Sequence, residues 1–185
     1  MEEVFRKWSG GVVDGTDKNT IHSYLGTYEK VFSPRRADKI RLLEIGIFSG
    51  ASLLAWADYF SHTETQIVGV DITTAKICFP MDNPKVQMHI FDATIKENVD
   101  KIDGSFDFII DDGSHLVAHQ MRSFELLKDR LNPGGVYIIE DVQGLDDASM
   151  IMTLADENGW KAELVDTRHI KGRYDDLMIV IKNKE

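Results

Sequence analysis

From residue 21 onward the apolar positions fall into two alternating kinds of spacing. Ile21, Tyr24, Leu25, Tyr28, Val31 and Phe32 recur at helical intervals, and Pro34 ends that helix. Residues 1–20 hold Gly10, Gly11 and Gly15 with few periodic apolar positions, so they are expected to form a loose lead. Continuous apolar runs then predict strands at Ile40–Ile47, Gln66–Ile72, Val86–Phe91, Phe106–Ile110 and Gly135–Ile139. An amphipathic helix is expected over Ala51–Phe60, an irregular or briefly helical piece up to Phe79, and a short turn-rich helix after Phe91. Longer helices are expected over Leu116–Leu131 and over Asp146–Asn158, the latter stopped by Gly159. Two final strands, Lys161–Val165 and Leu177–Ile181, lie too close together for a helical crossover and must pair antiparallel.

Apolar runs alternating with helices predict an α/β fold: a single, mostly parallel sheet with helices on both faces. No internal repeat or Pro/Gly/Ser linker divides the chain. Ligands of such sheets bind beyond the carboxyl ends of the strands, near the point where strand order reverses. Those ends are acidic here: Glu44, Asp71, Asp92, Asp111 with Asp112, and Glu140 with Asp141.

Composition narrows the chemistry. The 185 residues carry 21 Lys+Arg against 31 Asp+Glu, a formal charge of −10, which argues against a nucleic-acid partner. With 43% hydrophobic and 28% charged residues the chain reads as an ordinary globular domain. The lone Cys78 excludes an internal disulfide and a multi-thiolate zinc site. No apolar stretch is long enough to span a bilayer, and the acidic start M-E-E-V is no signal peptide. A cytoplasmic protein is therefore expected.

In L-L-E-I-G-I-F-S-G-A-S-L, Gly46 and Gly50 let the backbone turn sharply before a helix begins. The spacing is not the dinucleotide G-x-G-x-x-G, and Glu44 suits a cationic ligand better than a pyrophosphate. Asp71, at the end of V-G-V-D, is placed to accept both hydroxyls of a ribose. In F-D-A-T, Asp92 and the next backbone N–H could read an adenine edge. Singly, each acid would more often cap a helix; in this order they outline a nucleoside site. Asp112, Glu140 and Asp141 leave neighbouring buried strands and repel one another unless a cation lies between them. Oxygen donors without thiolate favour Mg²⁺, Ca²⁺ or Mn²⁺, the alternative being solvated helix caps. His115, three residues past Asp112, is the candidate general base, with His119 its competitor. His22, His62, His89 and His169 read as surface or packing residues, as do Trp56, Tyr24 and Tyr28 as core. Lys161, Arg168, Lys171 and Arg173 read most simply as a solvated basic hairpin.

The order E-x-G-x-x-x-G, V-D, D-A and F-D-F-I-I-D-D resembles the class I S-adenosylmethionine-dependent methyltransferases, and the paired terminal strands resemble that fold's reversed last strand. Phe48 departs from it, standing where many members have a third glycine. E-I-G-I-F-S-G-A-S-L-L-A-W is closer to the metal-dependent macrolide and sugar O-methyltransferases of the mycinamicin and macrocin type. G-T-D-K-N at Gly15–Asn19, followed by His22, Tyr24, Tyr28 and Glu29, is similar to their cofactor-covering segment. D-D-G-S-H at Asp111–His115 and I-I-E-D-V at Ile138–Val142 resemble their metal and catalytic motifs. The similarity runs from about residue 13 to 181 and lacks the auxiliary N-terminal region of some members.

The resemblance implies a Rossmann-like core over residues 37–185, with residues 1–36 as a lead and helix covering the cofactor. It implies S-adenosylmethionine held by Thr16, Lys18, Glu44, Gly46, Ser49, Asp71, Ile72, Asp92, Ala93 and Asp111. It further implies Mg²⁺ on Asp112, Glu140 and Asp141, His115 as base, and methyl transfer to a hydroxyl of a sugar or glycosylated small molecule. No nucleic-acid or membrane partner is expected, and assembly as a homo-oligomer stays open. Two alternatives remain: a binding protein without chemistry, and an NAD(P)-dependent oxidoreductase.

Overall fold

A computed structural model describes residues 1–9 and 15–183. Gly10 and Gly11 of the expected loose lead lie outside the described residues. Strands β1 (Arg41–Ile45), β2 (Gln66–Asp71), β3 (Val86–Ile90), β4 (Phe106–Asp111) and β5 (Leu131–Ile139) are parallel. β6 (Trp160–Asp166) and β7 (Leu177–Asn183) complete a seven-stranded sheet in the order β3-β2-β1-β4-β5-β7-β6. β7 runs antiparallel to both of its neighbours, β5 and β6, so the final pair is the expected antiparallel one. Strand order reverses between β1 and β4, which puts the acidic ends of the central strands at the switch point.

Because successive strand residues face opposite sides, continuous apolar runs fill two cores at once. Leu42, Ile67, Phe108 and Ile138 look to one face; Leu43, Val68, Ile109 and Ile139 look to the other. On the first face lie α1 (Glu2–Lys7), α2 (Leu25–Phe32) and α3 (Ala51–Tyr59). The second face is covered by residues of α4 (Lys96–Val99), α5 (Val117–Leu127) and α6 (Leu145–Glu157). A further single turn, α7 (Arg168–Lys171), joins β6 to β7. Among the described residues no helix is long and apolar enough to cross a membrane.

Four expectations need correction. The lead is not loose throughout: α1 forms because Phe5 is fully buried against Trp56, with ring centroids 4.6 Å apart. α2 starts at Leu25, since residues 21–24 instead form turns, Ile21 and His22 N–H donating to the Asp17 carbonyl. α3 is buried nearly all round rather than amphipathic, lying between the sheet and α1 and α2. β5 begins at Leu131, where a register shift against Phe106 and Phe108 accommodates the Pro133-Gly134 kink.

Phe32 joins α2 to the sheet, its ring lying 4.3 Å from Phe108 and 5.3 Å from Trp56. Phe32→Ala should therefore cost about 3–5 kcal/mol and lower the melting temperature by roughly 6–20 °C. Thermal unfolding followed by circular dichroism checks this; an unchanged midpoint would show that α2 is not part of the cooperative core.

Candidate active site

Gly46 and Gly50 adopt φ of +91° and +87° in the turn between β1 and α3. A Cβ on Gly46 would sit 2.0 Å from the Asp112 carbonyl oxygen, so the turn after β1 lies directly on the backbone leaving β4. Asp71, ending β2, holds that turn: one carboxylate oxygen accepts from Ile47 N–H at 2.8 Å and Phe48 N–H at 3.2 Å. Its other oxygen accepts from Thr73 N–H at 3.2 Å. Asp92 accepts from the N–H and hydroxyl of Thr94 at 2.8 and 2.7 Å, which lowers its pKa.

Asp71, Ile72, Asp92, Ala93 and Asp111 line one cavity of about 230 Å³, reaching from Gly46 to His119. Burial pushes the Asp111 carboxyl there up to about 7. A second cavity of about 440 Å³ is lined by Thr16, Phe48, Ser49, Asp112 and His115. Gly46 and Gly113 belong to both, so the two spaces meet beside the switch point. Carboxylates at the ends of β2 and β3 rim this cavity, whose floor is largely apolar.

Behind the second cavity four acids converge. The Lys18 ammonium lies 2.6 Å from Glu140 Oε2, 2.7 Å from Asp112 Oδ2 and 3.2 Å from Glu44 Oε1. Burial opposes its charge, but Asp112, Glu140 and Glu44 outweigh that and raise its pKa well above the usual value. The same arrangement holds Asp112 down at about 2 against its own burial, with help from His115. Glu140 is pushed up by burial and by Asp112 and Asp141, against the pull of Lys18, so a further negative charge in the cluster is disfavoured. Glu140 Oε1 accepts from the Tyr28 hydroxyl, and Glu44 Oε2 from Trp56 Nε1 at 3.2 Å.

Asp141 faces the other way within this cluster. The Tyr24 hydroxyl donates to Oδ1, and His115 Nε2 lies 3.4 Å from Oδ2 and 3.2 Å from Asp112 Oδ1. Asp112, His115 and Asp141 each offer an atom within 4.8 Å of the others, a mixed oxygen and nitrogen set that fits a divalent cation. Glu140 borders this trio through its shared contact with Lys18 rather than joining it. The hydrogen bond that His115 donates to the Asp112 carboxylate raises the His115 pKa despite partial burial. Phe48, His115 and Asp141 are the non-glycine residues with positive φ among those described, at +46°, +58° and +52°. Phe48 and His115 line the second cavity, and Asp141 lies behind it against His115, so this strain gathers around one cluster.

Several residues differ from their sequence reading. Lys18 turns inward to the acids rather than lying over the first cavity. His22, read as a surface or packing residue without acid neighbours, is packed inside but lies 2.8 Å from Asp176 and 3.3 Å from Asp141. Tyr24 and Tyr28 pack in the core as expected, yet their hydroxyls serve Asp141 and Glu140. His119 bonds Ser114 at 2.8 Å and borders the first cavity, away from the acid cluster. For Tyr24 and Tyr28 the signal was a polar hydroxyl on residues of an otherwise apolar helical pattern.

The reversed strand, the glycine turn at the switch point and the acids ending β2 and β3 define a class I methyltransferase fold. Residues 43–142, more than half of the chain, match a family model described as a methyltransferase domain, and the chain belongs to that family. The 8-demethyl-8-alpha-L-rhamnosyl tetracenomycin-C 2'-O-methyltransferase of Streptomyces olivaceus is 37% identical over 140 residues, 70% of this chain and 35% of the relative. Mycinamicin VI 2''-O-methyltransferase of Micromonospora griseorubida is 33% identical over 129 residues, 66% of this chain and 32% of the relative. The chain thus spans about a third of the length of the curated relatives it matches. The structure of MycE methyltransferase from the mycinamycin biosynthetic pathway, in complex with Mg and SAH, superposes with a TM-score of 0.74 at 26% identity. That match covers 98% of this chain and 54% of MycE. Membership in this family removes the oxidoreductase alternative.

Gly46→Ala tests the backbone contact at the heart of the site. A methyl 2.0 Å from a carbonyl oxygen, at a φ that alanine disfavours, should destabilise the fold by about 2–5 kcal/mol. Urea unfolding reads this directly; wild-type stability would show that the β1 turn and the β4 end do not touch in solution.

Proposed function

We propose that the chain binds S-adenosylmethionine and transfers its methyl group to a hydroxyl of a sugar or glycosylated small molecule, with Mg²⁺ assistance. The observation that carries this reading is the meeting of two spaces at Gly46 and Gly113, one shaped for a nucleoside and one walled by Asp112 and His115. The names of the relatives support it, since they are O-methyltransferases named for a rhamnosyl tetracenomycin and for mycinamicin VI. We place the activity in the cytoplasm, where S-adenosylmethionine is made.

In this reading Asp71 takes the ribose, Asp92 and Ala93 the adenine edge, and Gly46, Ser49, Ile72 and Asp111 the remaining walls, with Thr16 above. Asp112 and Asp141 hold Mg²⁺, with Glu140 beside them. When bound, the cofactor supplies an electrophilic methyl group and the ion supplies positive charge that acidifies a nearby hydroxyl. His115 accepts the proton that the hydroxyl gives up as its oxygen gains the methyl group. The carboxylates of Asp112 and Asp141 orient the imidazole and stabilise its protonated form. In-line methyl transfer needs little more from the protein than alignment and charge control.

Two measurements test the reading. Calorimetry should show S-adenosylhomocysteine binding that Asp71→Ala weakens by roughly 10–100-fold, the loss of one or two charged hydrogen bonds. Wild-type affinity in that variant would displace the nucleoside from Asp71. With methyl-labelled cofactor and a panel of glycosylated acceptors, turnover should cease in chelator and return with Mg²⁺. His115→Ala should lower it by about 10²–10⁴-fold while leaving S-adenosylhomocysteine affinity intact. Full turnover in chelator would remove the metal, and near-normal turnover in His115→Ala would remove the base; no labelled product from any acceptor would favour a binding protein without chemistry.

A further inference from the structure

Lys18 has a position that the proposed chemistry leaves unused. Its side chain is 1% exposed, and its ammonium touches a carboxylate within β1 and one directly after each of β4 and β5: Glu44, Asp112 and Glu140. It donates hydrogen bonds to Asp112 and Glu140 and forms an ion pair with Glu44, all of which favour the protonated form. It therefore has no lone pair to offer a substrate, which removes a nucleophilic role. Each carboxylate spends one oxygen on Lys18 and turns its other oxygen elsewhere: Glu44 to Trp56, Glu140 to Tyr28, Asp112 to His115. Of these six oxygens, Asp112 Oδ1 is the one brought beside His115 and Asp141.

We propose that Lys18 is a resident counter-cation, a positioning residue that fixes which carboxylate oxygens face the second cavity and ties the covering segment to the acid cluster. Buried carboxylates without compensation are strongly destabilising, so the strands can bring these acids together only if a cation comes with the fold. Lys18 provides it from a segment distant in sequence, which is also clasped from outside. The Lys171 ammonium donates to the carbonyls of Asn19 and His22, the latter at 2.6 Å. Four acids against one lysine still leave excess negative charge, so a divalent ion on Asp112 and Asp141 would share the cluster with Lys18 rather than replace it. This last step rests on the proposed function; the counter-cation role does not.

The test uses the full chain, first stripped of metal with chelator. Lys18→Met should lower the melting temperature by roughly 10 °C, because it strands buried charge. Adding Glu140→Gln to that variant should recover about half of the loss, since one stranded carboxylate is then neutral. Mn²⁺, followed by electron paramagnetic resonance, should bind Lys18→Met roughly tenfold or more tightly than wild type, because a like charge has left its neighbourhood. Lys171→Met, which releases the same segment without changing the cluster's charge, should leave Mn²⁺ affinity within about twofold. If Glu140→Gln deepens the loss caused by Lys18→Met, or Mn²⁺ binding in Lys18→Met is unchanged or weaker, the counter-cation role is wrong. If Mn²⁺ binds none of the proteins, wild type included, the metal part of the proposed function fails, and the Lys18 and Glu140 cycle alone decides the role of Lys18. Should Lys18→Met not fold, the double variant decides: folding supports charge compensation, and failure to fold overturns it.

Discussion

Carboxylates from three adjacent strands cannot approach one another inside a protein without positive charge between them. In this molecule Glu44, Asp112 and Glu140 do so around the Lys18 ammonium, all within 3.2 Å of it. At an effective dielectric of about 20, each such contact is worth about 4 kcal/mol before desolvation, and desolvation costs several kcal/mol per ion. The cluster is therefore a poor source of net stability. What it supplies is arrangement: side chains whose other oxygens are fixed, on the strand ends where strand order reverses.

That arrangement divides the site into two halves with different chemistry. Toward β2 and β3 the acids are single and partly solvated, and Asp71 and Asp92 are held by backbone N–H groups of their own turns. Toward β4 and β5 they are crowded, buried and paired with Lys18, His22 or His115. Gly46 is where the halves touch, because a side chain there would run into the Asp112 carbonyl. The positive φ of Phe48, His115 and Asp141, each costing on the order of 1–3 kcal/mol, is what the fold tolerates to gather these residues around the acid cluster. The relatives are about three times as long as the shared region.

Much of this was legible in the sequence because the physics is local. A run such as Phe106–Asp111 is apolar on both faces and can only be a buried strand, and an acid at its end must sit on the ligand edge. The short link between β6 and β7 forces antiparallel pairing. What stayed hidden depends on contacts across the chain. α1 has six residues and no periodic stripe, and it is held by the burial of Phe5 against Trp56, 51 positions away. His22 looks isolated until folding brings Asp176, 154 residues later, to 2.8 Å. Lys18 lies in a polar loop whose spacing gives no direction for its side chain, so neither its burial nor its three partners could be read from position alone.

The most direct test of the whole account is a crystal structure of the chain grown with S-adenosylhomocysteine and Mn²⁺, with anomalous data collected at the manganese edge. The account predicts a nucleoside beside Asp71 and Asp92, and an anomalous peak within bonding distance of oxygens of Asp112 and Asp141, on the far side of Gly46 from the adenine. A nucleoside placed elsewhere, or manganese absent from the acid cluster at full cofactor occupancy, would contradict it.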